Sequence, residues 1–171
     1  MKASSGMTIQ TEADSGIIFG GEKWAFIPEH GGANAGGAAL SVGTNGIGVY
    51  EYGDSYIVPL VVYSSQIGAG WNYISVVYTN KQPTIYLNGA YARTRYDGDI
   101  ARTKYAPYRI GGGVFGSDAF AGSMDEVRVS GVPRSTNWIW AEYLNMASNT
   151  VFNKYGKMEP IIVKGTVIMM R

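Results

Sequence analysis

The chain contains no cysteine and a single histidine, His30. Disulfide frameworks, thiol catalysis, Cys/His zinc sites and multi-histidine metal centres are thereby excluded. Charge is also scarce: Asp, Glu, Lys and Arg make up 16% of the 171 residues, and the formal net charge is +1. A balance so close to zero offers no electrostatic footprint for nucleic acid, and no basic block suits an anionic lipid surface. No apolar run approaches the roughly 18 residues of a membrane-spanning helix, so membrane insertion is not expected. The opening Met1-Lys2-Ala3-Ser4-Ser5-Gly6 lacks the apolar stretch of a secretory signal.

What the chain does have is 24 glycines, 13 tyrosines, four tryptophans and five phenylalanines. Aromatic residues suit pleated strands, and Gly and Asn suit the turns between them, so the expected class is all-β. Length favours a single domain over residues 1–171, with 157–171 as an additional closing strand.

Turn signals recur at the spacing of a sandwich. Asn45-Gly46 separates Ala39 to Val42 from Ile47 to Tyr50, and Asn88-Gly89 separates Thr84 to Leu87 from Ala90 to Arg93. An Asn-Gly pair between apolar runs marks a type I′ hairpin, whose two central residues both need positive φ. Asn80-Lys81-Gln82-Pro83 adds a third reversal, giving three consecutive antiparallel strands from Tyr73 onward. Alternation puts Ile74, Val76 and Tyr78 on one face and Tyr73, Ser75 and Val77 on the other. Neither face is wholly polar, as expected of a two-sheet sandwich with an aromatic outer surface. Further strands are expected at Gly16 to Gly20, Trp24 to Pro28, Ile57 to Tyr63, Tyr108 to Gly112, Phe120 to Ser130 and Ile161 to Met170. One short helix fits Asn137 to Met146, capped by Ser135, with Trp138, Ile139, Ala141 and Tyr143 on one side, packing at the sandwich edge.

Few residues suit chemistry. Gly111 to Gly116 leads toward another strand and has no Lys nearby, so it is a turn rather than a phosphate loop. Asp125 and Glu126 are neighbours on one strand and point to opposite faces. Two carboxyls cleaving a glycosidic bond must instead face each other about 5 to 10 Å apart. Parity sends Asp125 inward with Val127 and Val129, where a carboxylate needs backbone donors or a cation, and sends Glu126 outward with Met124 and Arg128. His30 lies among loop glycines and is a candidate ligand contact. The run Tyr50-Glu51-Tyr52-Gly53-Asp54-Ser55-Tyr56 combines aromatic faces with hydrogen-bonding groups, which suits stacking on sugar rings; equally, its tyrosines can cover the edge of the core. Calcium takes six to eight oxygens, and Asp14, Asp54 and Asp118 fall in loop-like sequence that can supply them, although no EF-hand spacing is present.

Three segments, taken in order, resemble a known family: Gly70-Trp71-Asn72-Tyr73-Ile74-Ser75-Val76-Val77-Tyr78, Pro83-Thr84-Ile85-Tyr86-Leu87-Asn88-Gly89, and Phe120-Ala121-Gly122-Ser123-Met124-Asp125-Glu126-Val127-Arg128-Val129. They are similar to the laminin G-like jelly-roll domains of the concanavalin A-like lectin/glucanase superfamily, bacterial type, over about residues 16 to 156. Val132-Pro133-Arg134-Ser135, Trp138 and Ala141-Glu142-Tyr143 resemble the segment that follows. The resemblance implies two curved antiparallel sheets packed face to face, non-catalytic binding of glycans or proteins, and in many members a calcium ion at the rim. It also implies a structural role for Asp125. The E-x-D-x-x-E strand of the superfamily's glucanases is absent from this sequence.

The sequence therefore leads to a jelly-roll sandwich acting as a carbohydrate-binding module, with Trp24, His30, Tyr50, Tyr52, Asp54 and Tyr56 as ligand contacts. It is expected to be monomeric and to serve as an extracellular or cell-surface module of a longer chain. The alternative is a protein-contacting adhesion module. A polysaccharide lyase using His30 with a tyrosine is a third class, with a hydrolase equally disfavoured.

Overall fold

A computed structural model of the chain describes residues 1–3, 24–53, 56–94, 103–111, 119–149 and 156. Strands β1 (Lys2–Ala3), β2 (Trp24–Ile27), β3 (Ala35–Gly43), β4 (Gly46–Gly53) and β5 (Tyr56–Tyr63) come first. They are followed by β6 (Ile74–Thr79), β7 (Gln82–Leu87), β8 (Ala90–Thr94), β9 (Thr103–Tyr105), β10 (Arg109–Ile110), β11 (Gly122–Ser123) and the helix α1 (Thr136–Ala147). The larger sheet has the order β10-β2-β3-β4-β5, with β9 also paired to β3; the smaller has the order β6-β7-β8. A two-stranded ribbon joins β1 to β11. The molecule is the all-β, jelly-roll-type sandwich expected from its sequence.

The two sheets enclose the main core. Ala25, Leu40, Val42, Ile47, Val49 and Val61 from the larger sheet meet Ile85 from the smaller one and Ile67 from the connection between them. Ile74, Val76, Tyr78 and Leu87 pack against that cluster, as their alternation requires. Fully burying one such aliphatic side chain contributes about 1.5–3 kcal/mol. The larger sheet is buried on both faces. Ala39 pairs with Tyr50 while its neighbour Leu40 pairs with Val49, so the two pairs point to opposite sides. The Ala39 side carries a second cluster with Trp24, Ile27, Tyr50 and Ile57. Pro59 lies in β5, the last strand in the order, where proline is tolerated, and the β4–β5 register shifts beside it.

The turns obey their sequences unequally. Asn80 and Lys81 both have positive φ (50° and 67°), as do Asn88 and Gly89 (51° and 78°). The β6–β7–β8 meander therefore turns as the type I′ geometry demands. At the first hairpin the reversal instead sits one residue earlier: Gly43 pairs with Gly46, leaving Thr44 and Asn45 as the turn, and Gly46 itself carries φ 149°.

Several expectations are corrected. Phe120 to Ser130 forms strand only at Gly122–Ser123. Beyond it Glu126 takes φ 52° and Val129 is 67% exposed, so alternation stops and Asp125 is exposed rather than inward. Of the strand expected at Tyr108 to Gly112, the described residues form Arg109–Ile110, and Gly112 lies outside them. Strand β9 is unforeseen and runs parallel to Ala35–Gly37. The expected strands at Gly16 to Gly20 and Ile161 to Met170 lie outside the described residues.

The helix forms where expected. Ser135 Oγ accepts from the Trp138 backbone N–H at 3.3 Å, capping an otherwise unsatisfied donor. Its apolar positions divide differently, however. Ile139 is fully buried, whereas Trp138 is 41% and Trp140 47% exposed, because residues one apart on a helix lie about 100° apart around its axis.

Candidate functional site

The structure separates the residues nominated as ligand contacts. Trp24 and Tyr50 are 3% and 0% exposed and pack edge to face, with ring centroids 5.0 Å apart. Their rings belong to the second core cluster, so neither offers a face to a ligand; the apolar body of each is worth more in the core than at the surface. His30 and Tyr52 are brought together, centroids 4.7 Å apart, with His30 exposed and Tyr52 at the margin of the same cluster. A bond from the Gly31 N–H to the Tyr52 carbonyl, 3.1 Å, pins the loop there. Gly37 permits the approach, since a Cβ at that position would run into the backbone of Glu29. Asp14, Asp54 and Asp118 and the side chain of Tyr56 lie outside the described residues. Among the described residues no three His, Cys, Asp or Glu side chains gather as a cation site. Asp125 accepts a backbone N–H, that of Glu126 at 2.9 Å, but does so from the surface.

A second surface lies where α1 crosses the β7–β8 hairpin. Gly89 makes the crossing possible: at φ 78°, a Cβ would meet Trp140 at 2.7 Å and Tyr143 at 2.9 Å. The hairpin end is tied to the chain before β6. Asn88 Oδ1 accepts from the Tyr73 N–H at 2.9 Å, and Asn88 Nδ2 donates to Asn72 Oδ1 at 3.2 Å. Asn72, 5% exposed, in turn donates to the carbonyls of Gly68 (2.8 Å) and Gly70 (3.2 Å). The Tyr73 hydroxyl donates to Glu142 Oε2 of the helix at 2.5 Å. Burial, and then this bond to a carboxylate, push the Tyr73 phenol well above its ordinary range.

The other oxygen of Glu142 receives Arg128 Nη1, while Arg128 Nη2 donates to Glu126 at 2.8 Å. Two carboxylates on one guanidinium raise its already high pKa, the Glu126 hydrogen bond contributing most. Next to this fork Trp138 carries Arg134 over its ring, 4.7 Å from the centroid. At such exposure a cation–π contact is worth about 0.5–1 kcal/mol. Arg128, Trp138, Ala141, Glu142 and Asn145 together line an open depression of about 300 Å³. Four of the five lie at i, i+3, i+4 and i+7 of α1, one stripe of the helix.

Residues 10–139 match the Laminin_G_3 family, described as the concanavalin A-like lectin/glucanases superfamily. The chain belongs to this laminin G-like family. Its two-sheet sandwich is the layering that the superfamily resemblance implied, and laminin G-like domains are generally non-catalytic, although the superfamily includes some hydrolases. No curated protein shows a significant match to the chain. Among solved structures, the S-layer domain-containing protein (residues 221–444) from Clostridium thermocellum ATCC 27405 is similar at a TM-score of 0.37 and 14% identity, covering 81% of this chain and 71% of that one. No helix among the described residues is long and apolar enough to cross a membrane.

The helix-side depression was not among the sites expected from sequence. Part of its signal was present: parity puts Glu126 and Arg128 together and outward, and Trp138 with Ala141, Glu142 and Asn145 follows helical spacing. The bond from Arg128 to Glu142 is tertiary and leaves no local trace.

Proposed function

We propose that this laminin G-like domain is a non-catalytic carbohydrate-binding module. The observation that carries the proposal is the depression on α1, where an exposed indole lies beside a guanidinium–carboxylate fork. An aromatic face matches the apolar C–H face of a sugar ring, and fixed donors and acceptors beside it match hydroxyls. Glu126 and Glu142 bind the same arginine rather than facing each other across an open gap. That is the wrong arrangement for acid–base cleavage of a glycosidic bond. His30 and Tyr52 supply a second, smaller polar–aromatic contact on the larger sheet.

Affinity electrophoresis of the full chain through gels containing plant and microbial polysaccharides tests this. Retardation by at least one of them is expected, with no release of reducing or unsaturated products. Uniform mobility across all of them overturns it. The proposal includes calcium held by Asp14, Asp54 and Asp118, since that ion takes carboxylate and carbonyl oxygens. Its expected signature is a higher melting temperature with added calcium, reversed by a chelator. It also places the module outside the cell or on its surface, where polysaccharides are met.

An adhesion role has its own support in Tyr108 (62% exposed), Ile110 (56%), Val129 (67%) and Val132 (57%), large apolar side chains left on the surface. Concentration-dependent self-association or capture of a protein partner favours that reading over glycan binding.

A further inference from the structure

From the charge and hydrogen-bonding geometry of the helix-side depression, we infer that it selects an uncharged sugar unit and disfavours uronic acid or sulfated units. This deepens the carbohydrate-binding reading and rests on it. Beside the depression Arg128 and Arg134 are met by Glu126 and Glu142, with the exposed Asp125 carboxylate next to Glu126, so the arginines there are matched by carboxylates. Arg128, the cation nearest the floor, is already engaged by both carboxylates. An anionic ligand reaching it meets Glu126 and Glu142 at close range, where like charges repel.

A hydroxyl fits where a carboxylate does not. Of the five guanidinium N–H donors, two are engaged by the glutamates, and three have no partner among the described residues. Each carboxylate oxygen of Glu142 accepts one hydrogen bond, from Tyr73 or Arg128, and keeps a second lone pair. A sugar hydroxyl is donor and acceptor at once, so it can accept from Arg128 and donate to Glu142. Vicinal hydroxyls can do so as a pair. Tyr73 and Glu126 hold the fork in place from both sides, which limits the ordering cost on binding. Arg134 covers one face of Trp138, and the exposed remainder of that ring supplies the platform. At about 300 Å³ the depression lies at the small end of ligand sites, a size suited to one ring of a chain rather than a long segment.

The test compares the full chain on neutral polysaccharides (β-glucan, mannan, xylan) with polyuronates (alginate, polygalacturonate) and heparin, by affinity electrophoresis and titration calorimetry. Trp138→Ala, Glu142→Gln and the remote control Trp71→Ala are run in parallel, with circular dichroism to confirm folding. Expected is binding to a neutral polymer, weakened tenfold or more by Trp138→Ala, weakened severalfold by Glu142→Gln, and unchanged by Trp71→Ala. Neutral-polymer binding that Trp138→Ala and Glu142→Gln leave intact overturns this inference while the carbohydrate-binding reading stands. Tighter, Trp138-dependent binding to polyuronate or heparin overturns the charge selection alone. If Trp138→Ala unfolds, Glu142→Gln decides by the same criteria. Failure to bind any polymer overturns both readings.

Discussion

Tyr78 shows how a single atom can set the stability of this sandwich. Its ring packs against the main core, but its hydroxyl is buried and has no partner among the described residues. An orphaned buried hydroxyl costs about 1–3 kcal/mol, so Tyr78→Phe is expected to stabilise the chain by roughly 1 kcal/mol in urea titrations near neutral pH. Burial also raises the Tyr78 ionisation above the ordinary value of 10. The folded state then keeps a proton that the unfolded chain releases. The neutral phenol's stability is complete below pH 10 and is lost as pH climbs from there toward the raised value. Melting temperatures measured between pH 9 and pH 11 should fall, and fall less steeply in Tyr78→Phe. Glu51 and Lys104 are the opposite case, a paired buried charge. Glu51 is 1% and Lys104 10% exposed, and burial lowers the Lys104 pKa. Removing one member of such a pair costs about 3–5 kcal/mol, the loss expected for Lys104→Met in chemical denaturation. Glu51 sat in a run considered for ligand contact; the ion pair across β4 and β9 assigns it to the interior.

At the scale of elements, the junction of α1 with the β7–β8 hairpin depends on Gly89. Gly89→Ala adds the left-handed backbone penalty, about 1–2 kcal/mol, to a collision with Trp140 and Tyr143. The expected outcome is a loss of at least that size, with a change in tryptophan fluorescence as the helix shifts. Ser135→Ala should cost about 1 kcal/mol through the lost cap, without moving the helix. The hairpins show how far local sequence reaches. Asn88-Gly89 set its turn because both residues tolerate positive φ and nothing nearby opposed them. Asn45-Gly46 carried the same signal, yet the pairing of Gly43 with Gly46 displaced the turn by one residue. Seven paired positions along β3 and β4 outweigh the preference of two turn residues.

At the scale of the whole molecule, the larger sheet is packed on both faces. The smaller sheet faces the core on one side and meets α1 through Tyr73 on the other, and the aromatic residues are divided between core and surface. The near-zero net charge and the exposed apolar residues bear on association. Light scattering is expected to give a monomer, and a rising apparent mass with concentration would favour the adhesion reading. The depression on α1 is assembled across long stretches of chain: Tyr73, Arg128 and Glu142 meet although no two are sequence neighbours.

The sequence by itself determined the class, the meander from β6 to β8, the capped helix and the family, because alternation, turn chemistry and capping act over a few residues. Only the tertiary structure decided that Trp24 and Tyr50 serve the core while Trp138 stays at the surface. Only it decided that Glu51 is buried and that Arg128 bridges two glutamates. An aromatic or charged side chain is equally suited to either place until its neighbours from other strands arrive, and burial and ion pairing are properties of that company.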